Sequence, residues 1–121
     1  MTTNEIIESY YNSLSEKDDR WQELWSDDGS FSDASRVLNA TGKEAVVQSF
    51  NPFLKGIESV KVKQMIVEGS NACVVVSYIY INPKGEKMNQ DVAEVWHVKD
   101  GKLVSLVIYF DLTAYRGFMK R

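Results

Sequence analysis

The sequence is poor in the residues that staple a chain or hold a metal: it has one cysteine, Cys73, and one histidine, His97. A lone cysteine excludes an internal disulfide, and within Ala72-Cys73-Val74 it reads as a small hydrophobe. One histidine and one cysteine, with carboxylates in no ligand spacing, leave no basis for a metal site. Basic clusters are scarce as well. The net charge is −3, and Lys55, Lys61 and Lys63 are diluted by Glu58 and Glu68, so nucleic acid is not an expected partner. No glycine-rich phosphate loop occurs, so no cofactor is expected. The longest apolar run, Val74 to Ile81 broken by Ser77, is too short to span a bilayer. Met1 to Glu8 lack the basic start and apolar stretch of a secretory signal. These absences together predict a soluble cytoplasmic protein in a reducing setting.

What is present is ordinary globular composition. The 121 residues are 44% hydrophobic and 26% charged, enough to bury a core, and a single domain over 1–121 is expected. Thr2 and Glu5 have capping-box spacing and open a helix with Ile6, Ile7, Tyr10 and Leu14 on one side. Asp18 and Asp19 start a short second helix through Trp21, Leu24 and Trp25, and Asp28-Gly29 turns the chain into a short strand around Phe31. After a polar loop from Ala34 to Thr41, a second capping box at Thr41 and Glu44 launches a helix bearing Val46, Val47, Phe50, Phe53 and Leu54, which Pro52 should bend or end.

From Ile57 onward the pattern switches to strands, at 57–68, 72–82, 87–99 and 102–112. Turn chemistry separates them, and Asp100-Gly101 has the composition of a two-residue type I′ hairpin. Helices followed by hairpin-linked strands predict an α+β fold with a curved antiparallel sheet wrapped by N-terminal helices around an apolar pocket.

Alternation along a strand sorts the acids. Val92, Glu94, Trp96 and Val98 share a face, so Glu94 is expected inside, desolvated and holding its proton tightly. Phe31 and Asp33 point together, away from Ser30 and Ser32. In the last strand Val104, Leu106, Ile108, Phe110 and Leu112 form the inner face, with Leu103, Ser105, Val107 and Tyr109 outside. Tyr10 adds an inward hydroxyl from the first helix. Asp33, Tyr10 and Glu94 are therefore the candidate catalytic groups, and Trp25, Phe31, Phe50, Trp96 and Phe110 the candidate walls for a small hydrophobic ligand. His97 lies on the opposite face, where a sheet-surface position is expected. Asp91 and Asp111 read as strand-end residues.

The run Leu24-Trp25-Ser26-Asp27-Asp28-Gly29-Ser30-Phe31-Ser32-Asp33, the later Thr41-Gly42-Lys43-Glu44-Ala45-Val46, and the closing Glu94-Val95-Trp96-His97-Val98-Lys99-Asp100-Gly101 resemble the SnoaL-like and ketosteroid-isomerase-like families of the nuclear-transport-factor-2 superfamily. The resemblance implies a cone-shaped, cystatin-like α+β domain and a homodimer through the outer sheet face. It implies Asp33 as proton shuttle, Tyr10 as oxyanion tyrosine and Glu94 as protonated oxyanion acid. The chain departs from the isomerase pattern at Ala34, where a proline is usual, and at Glu94, where an aspartate is usual. Two functions follow as expectations: proton transfer on a carbonyl compound, as in isomerases, cyclases or dehydratases, or a non-catalytic ligand-binding or dimeric interaction domain.

Overall fold

A computed structural model describes every residue from Met1 to Arg121. The first helix, α1 (Thr3–Glu16), begins at the expected capping box: Glu5 N–H donates to Thr2 Oγ1 at 3.1 Å, and Thr2 N–H donates to Glu5 Oε1 at 2.8 Å. Buried Ser13 ties this helix to the 3-10 turn at Arg20–Leu24. Its hydroxyl donates to Asp18 Oδ1 at 2.6 Å and accepts from Trp21 N–H at 2.9 Å. That pair fixes the turn against α1 and buries Trp21 beneath it.

Strand β1 (Trp25–Asp33) starts four residues before Gly29, so the expected turn at Asp28-Gly29 is instead an irregularity within a longer strand. Gly29 is needed there because a Cβ would lie 2.7 Å from Cε3 of Trp25. The polar loop contains a short strand, β2 (Asn39–Thr41), paired antiparallel with β1 through Phe31 and Ala40. This pairing takes Thr41 into the sheet, and the second capping box does not form. Helix α2 (Lys43–Lys55) has Gly42 at its N-cap, at φ 94°, with no side-chain bond. Pro52 lies in the last turn of α2 and does not end it. The missing amide removes one bond to the preceding turn, and the helix runs on to Lys55.

The remaining strands are β3 (Ile57–Glu68), β4 (Asn71–Ile81), β5 (Lys87–Lys99) and β6 (Lys102–Tyr109). They form a meander within one six-stranded sheet of order β2-β1-β6-β5-β4-β3. The sheet is not wholly antiparallel, because β1 runs parallel to β6, with Phe31 opposite Leu106 and Asp33 opposite Ile108. Such a pair needs a long crossover, and α2 with the first three strands of the meander supplies it. Asp100 and Gly101, at φ 52° and 75°, make the expected two-residue turn between β5 and β6.

A bulge beside that turn, between His97 and Val98, shifts the alternation of β6. Leu103 is consequently buried with Leu106, whereas strict alternation places it outside. The strand also stops at Tyr109. Asp111 caps helix α3 (Leu112–Met119) by accepting from Ala114 N–H at 2.9 Å, so Leu112 opens a helix rather than closing a strand.

The inner face of the sheet presents Val74, Val76, Tyr78 and Tyr80 from β4 and Val92, Glu94, Trp96 and Val98 from β5. Across from them lie Ile6, Ile7, Tyr10, Tyr11 and Leu14 of α1. Aromatic edge-to-face packing knits the two layers, with the Tyr10 and Trp96 ring centroids 4.6 Å apart. No helix is long and apolar enough to cross a membrane.

Two alanine substitutions test how space is distributed. Gly29→Ala collides with buried Trp25 and is expected to lower unfolding free energy by about 1–3 kcal/mol in urea titration. Gly117→Ala in α3 meets nothing within 4 Å and is expected to stabilise by up to about 1 kcal/mol.

Candidate functional site

The cone opens into a cavity of about 320 Å³. Hydrophobic residues are 12 of the 16 that line it, which suits an apolar ligand. Phe31 comes from β1, Phe50 and Phe53 from α2, Phe110 and Tyr115 from the C-terminal segment, and Tyr10 from α1. Glu94 is the one ionisable carboxyl among the lining residues.

Glu94 is almost completely buried, at 2% exposure, and three neighbours organise it. Tyr11 donates its hydroxyl to Oε1 at 2.5 Å. The Tyr78 hydroxyl stands 3.1 Å from both carboxylate oxygens and has one hydrogen to share between them. Trp96 donates its indole N–H to the Tyr11 oxygen at 2.8 Å. An indole N–H can only donate, so it occupies one lone pair of the Tyr11 oxygen, and the Tyr11 hydrogen goes to Glu94, the one acceptor it meets. Oε1 is thereby kept as an acceptor. Oε2, with only the shared Tyr78 hydrogen, is the oxygen that can carry a proton.

Burial raises the Glu94 pKa to about 7, against the opposing pull of the Tyr11 and Tyr78 hydrogen bonds. The same burial, reinforced by the charge of Glu94, pushes the Tyr10, Tyr11 and Tyr78 phenols up, so they stay neutral donors. Tyr10 lines the cavity, and no hydrogen bond within the protein engages its hydroxyl.

Asp33 is equally buried, at 2% exposure, but it is not among the cavity-lining residues. Oδ1 accepts from Leu38 N–H at 2.8 Å, and Oδ2 accepts from Ser35 N–H at 2.9 Å and from the Ser35 hydroxyl. Burial pushes this carboxyl up, yet these hydrogen bonds outweigh it and hold the pKa below the ordinary value. Asp33 therefore organises the turn into β2. Tyr10 and Glu94 converge on one cavity, and Asp33 faces away into its loop.

Among the candidate walls, Phe31, Phe50 and Phe110 line the cavity. Trp25 and Trp96 do not. Trp25 packs between Phe50 and Trp96, with ring centroids 5.8 Å and 5.6 Å away, and Trp96 acts through Tyr11. Tyr11 and Tyr78 were not among the candidates. Tyr11 follows Ile7 by four residues on the buried side of α1, and Tyr78 shares the inner face of β4 with Val74 and Val76, so both lay on legible stripes. His97 is on the outer sheet face, its Nδ1 3.1 Å from Asn71 Oδ1. No group of three or more His, Cys, Asp and Glu side chains is arranged so that it could hold a metal ion.

Known proteins share this architecture. The family model of the SnoaL-like domain matches residues 7–106. The chain belongs to the SnoaL-like family. No curated protein sequence matches it. Among solved structures, an NTF2-like protein of unknown function from Burkholderia pseudomallei K96243 is similar over 100% of both chains, at 14% identity and a TM-score of 0.85. TerC, co-crystallised with polyporic acid, is similar over 98% of both chains at 15% identity and a TM-score of 0.81. SalBIII, an epoxide hydrolase/cyclase-like enzyme in pyran ring formation in salinomycin, is similar over 92% of both at 17% identity and a TM-score of 0.82. At identities this low, the likeness shows a shared SnoaL-like, NTF2-like fold.

The raised pKa of Glu94 has a stability consequence of definite sign. A carboxyl with a pKa of about 7 when folded and 4.5 when free binds more protons in the folded state between those values. Stability should therefore fall as pH rises from 4.5 to 7 and level off above, by on the order of 3 kcal/mol at most. Urea titrations across that range should show the slope in the wild type and its loss in Glu94→Gln.

Proposed function

We propose that this SnoaL-like domain binds a small hydrophobic carbonyl compound in the cone and moves a proton on it, with Glu94 as the proton carrier. The observation that carries the reading is the cavity's one carboxyl, with a pKa near 7 and an oxygen left open, in a cavity shared with the unengaged hydroxyl of Tyr10. A group poised near neutrality can both take and return a proton.

In the first step the Glu94 carboxylate removes a proton from carbon next to the carbonyl. The carbon–hydrogen bonding pair becomes the enolate, and the negative charge collects on the carbonyl oxygen. Tyr10 donates a hydrogen bond to that oxygen as charge develops, in a cavity whose apolar walls strengthen the interaction. Glu94, now protonated on Oε2, then returns the proton to a different carbon or to an oxygen of the same molecule. Tyr11 and Trp96 position the carboxyl throughout. TerC, co-crystallised with polyporic acid, and SalBIII, an epoxide hydrolase/cyclase-like enzyme, support a small molecule as the ligand class.

We also infer a homodimer through the outer sheet face. A cross-strand row of Ile66, Cys73, Val95 and Val107 runs in register over four strands, and Tyr109, 52% exposed, lies beside it. Apolar side chains in a contiguous row suit a second copy of the same surface.

Deuterium uptake at the enolisable carbon of 2-tetralone, followed by NMR in heavy water, tests the proton transfer. The wild type should accelerate uptake, Glu94→Gln should abolish the acceleration, and Tyr10→Phe should reduce it by roughly 100-fold. Acceleration that survives Glu94→Gln but disappears in Asp33→Asn would overturn the assignment. Absence of any acceleration over buffer would leave a binding protein instead of an enzyme.

Sedimentation checks the dimer separately. The wild type should sediment as a dimer at micromolar concentration and Val95→Lys as a monomer. A monomeric wild type would rule the interface out.

A further inference from the structure

Glu94 lacks a counter-ion. No lysine, arginine or histidine lines the cavity, and the ion pairs of the molecule all involve other acids. The titratable groups facing it are all phenols: Tyr10 and Tyr11 from α1, Tyr78 and Tyr80 from β4, and Tyr115 from α3. The β1 acid, Asp33, has both oxygens bound within its own loop, and α2 and β6 bring no titratable side chain to the cavity. When Glu94 ionises, an uncompensated negative charge therefore stands inside an apolar chamber. Its Oε1 is taken by Tyr11, while Oε2 has only a shared hydrogen.

We propose that Glu94 selects the charge of what the cavity accepts: hydrophobic amines bind with the ammonium on Glu94 Oε2 and the apolar body between Phe31, Phe50 and Phe110, whereas the matching carboxylates are rejected. This rests on reading the cavity as a ligand site and does not require turnover. Folding has already stripped water from the carboxylate, so only the ligand's ammonium has to be dehydrated on binding. The pairing then forms in a water-poor site where attraction between opposite charges is strong. An anionic ligand meets the reverse situation and enters only if Glu94 first takes up a proton. For an amine Glu94 is a counter-ion and for a neutral ketone it is the proton carrier, so the two kinds of ligand compete for one carboxyl.

Calorimetry with three compounds of one shape tests this: 4-phenylbutylamine, 4-phenylbutan-1-ol and 4-phenylbutanoate. At about pH 8.5 the amine should bind the wild type roughly tenfold or more tighter than the alcohol, and the carboxylate should not bind. At about pH 5.5, with Glu94 protonated, the amine should lose its advantage. Glu94→Gln should erase the preference at both pH values. Equal affinities for amine and alcohol at the higher pH would overturn the proposal. So would a preference that persists in Glu94→Gln, or failure of all three compounds to bind. If Glu94→Gln does not fold, the pH pair on the wild type decides alone. The tetralone exchange separates this inference from the proton-transfer reading. Amine preference without exchange sinks only proton transfer, and exchange without amine preference sinks only charge selection.

Discussion

Placing a glutamate on the inner face of β5 commits the rest of the cone to accommodating it. An isolated buried carboxylate is expensive, and proteins meet that cost with hydrogen bonds, a counter-charge or protonation. Here the neighbours supply hydrogen bonds from Tyr11 and Tyr78 and no counter-charge, so protonation bears the remainder and the pKa moves to about 7. The aromatic layer between α1 and the sheet follows from the same demand. Tyr10, Tyr11 and Trp96 are buried around the carboxyl, and Trp21 and Trp25 pack on them, so the rings stabilise the α1–sheet contact.

Direction matters as much as proximity in this cluster. The Tyr11 hydrogen has Glu94 Oε1 as its one acceptor, and that donation keeps Oε1 from being the proton's seat. The indole N–H of Trp96 holds the Tyr11 oxygen from the other side, at 2.8 Å, and so keeps the hydroxyl aimed at the carboxyl. The less engaged oxygen is then Oε2, and the lining residues Tyr10 and Tyr80 bring hydroxyls with no partner in the protein. Trp96 thus influences the site from behind it, which is why a residue two positions from Glu94 on the same face of β5 matters without lining the cavity.

Asp33 illustrates the opposite outcome for a buried acid. Alternation along β1 correctly puts it on the same side as Phe31, and it is as buried as Glu94. Its side chain, however, is the last of the strand, where the chain turns and leaves amides of Ser35 and Leu38 without ladder partners. A short acidic side chain at such a turn bonds those amides more readily than it reaches across a cavity. The contrast in pKa direction, down for Asp33 and up for Glu94, expresses this difference in donors.

The order of the helices and of the four meander strands, the bounds of β3, β4 and β5 to within one residue, the turn at Asp100-Gly101 and the inward faces of α1, β4 and β5 were all determined by local sequence. Each depends on periodicity and turn chemistry that neighbours in the chain supply. The inward position of Glu94 belongs to this group. Tertiary structure decided the rest, because the rest depends on partners distant in sequence. The parallel pairing of β1 with β6 carried Thr41 into a strand through β2, and the bulge at His97 turned Leu103 inward. The hydrogen bonds from Tyr11 and Tyr78 span 83 and 16 residues to reach Glu94, and no spacing rule connects them. Sequence alone was enough to place an acid inside the cone. Which oxygen of that acid stays open, and which second acid turns away, depended on how α1, β4 and the Asp33 turn pack around it.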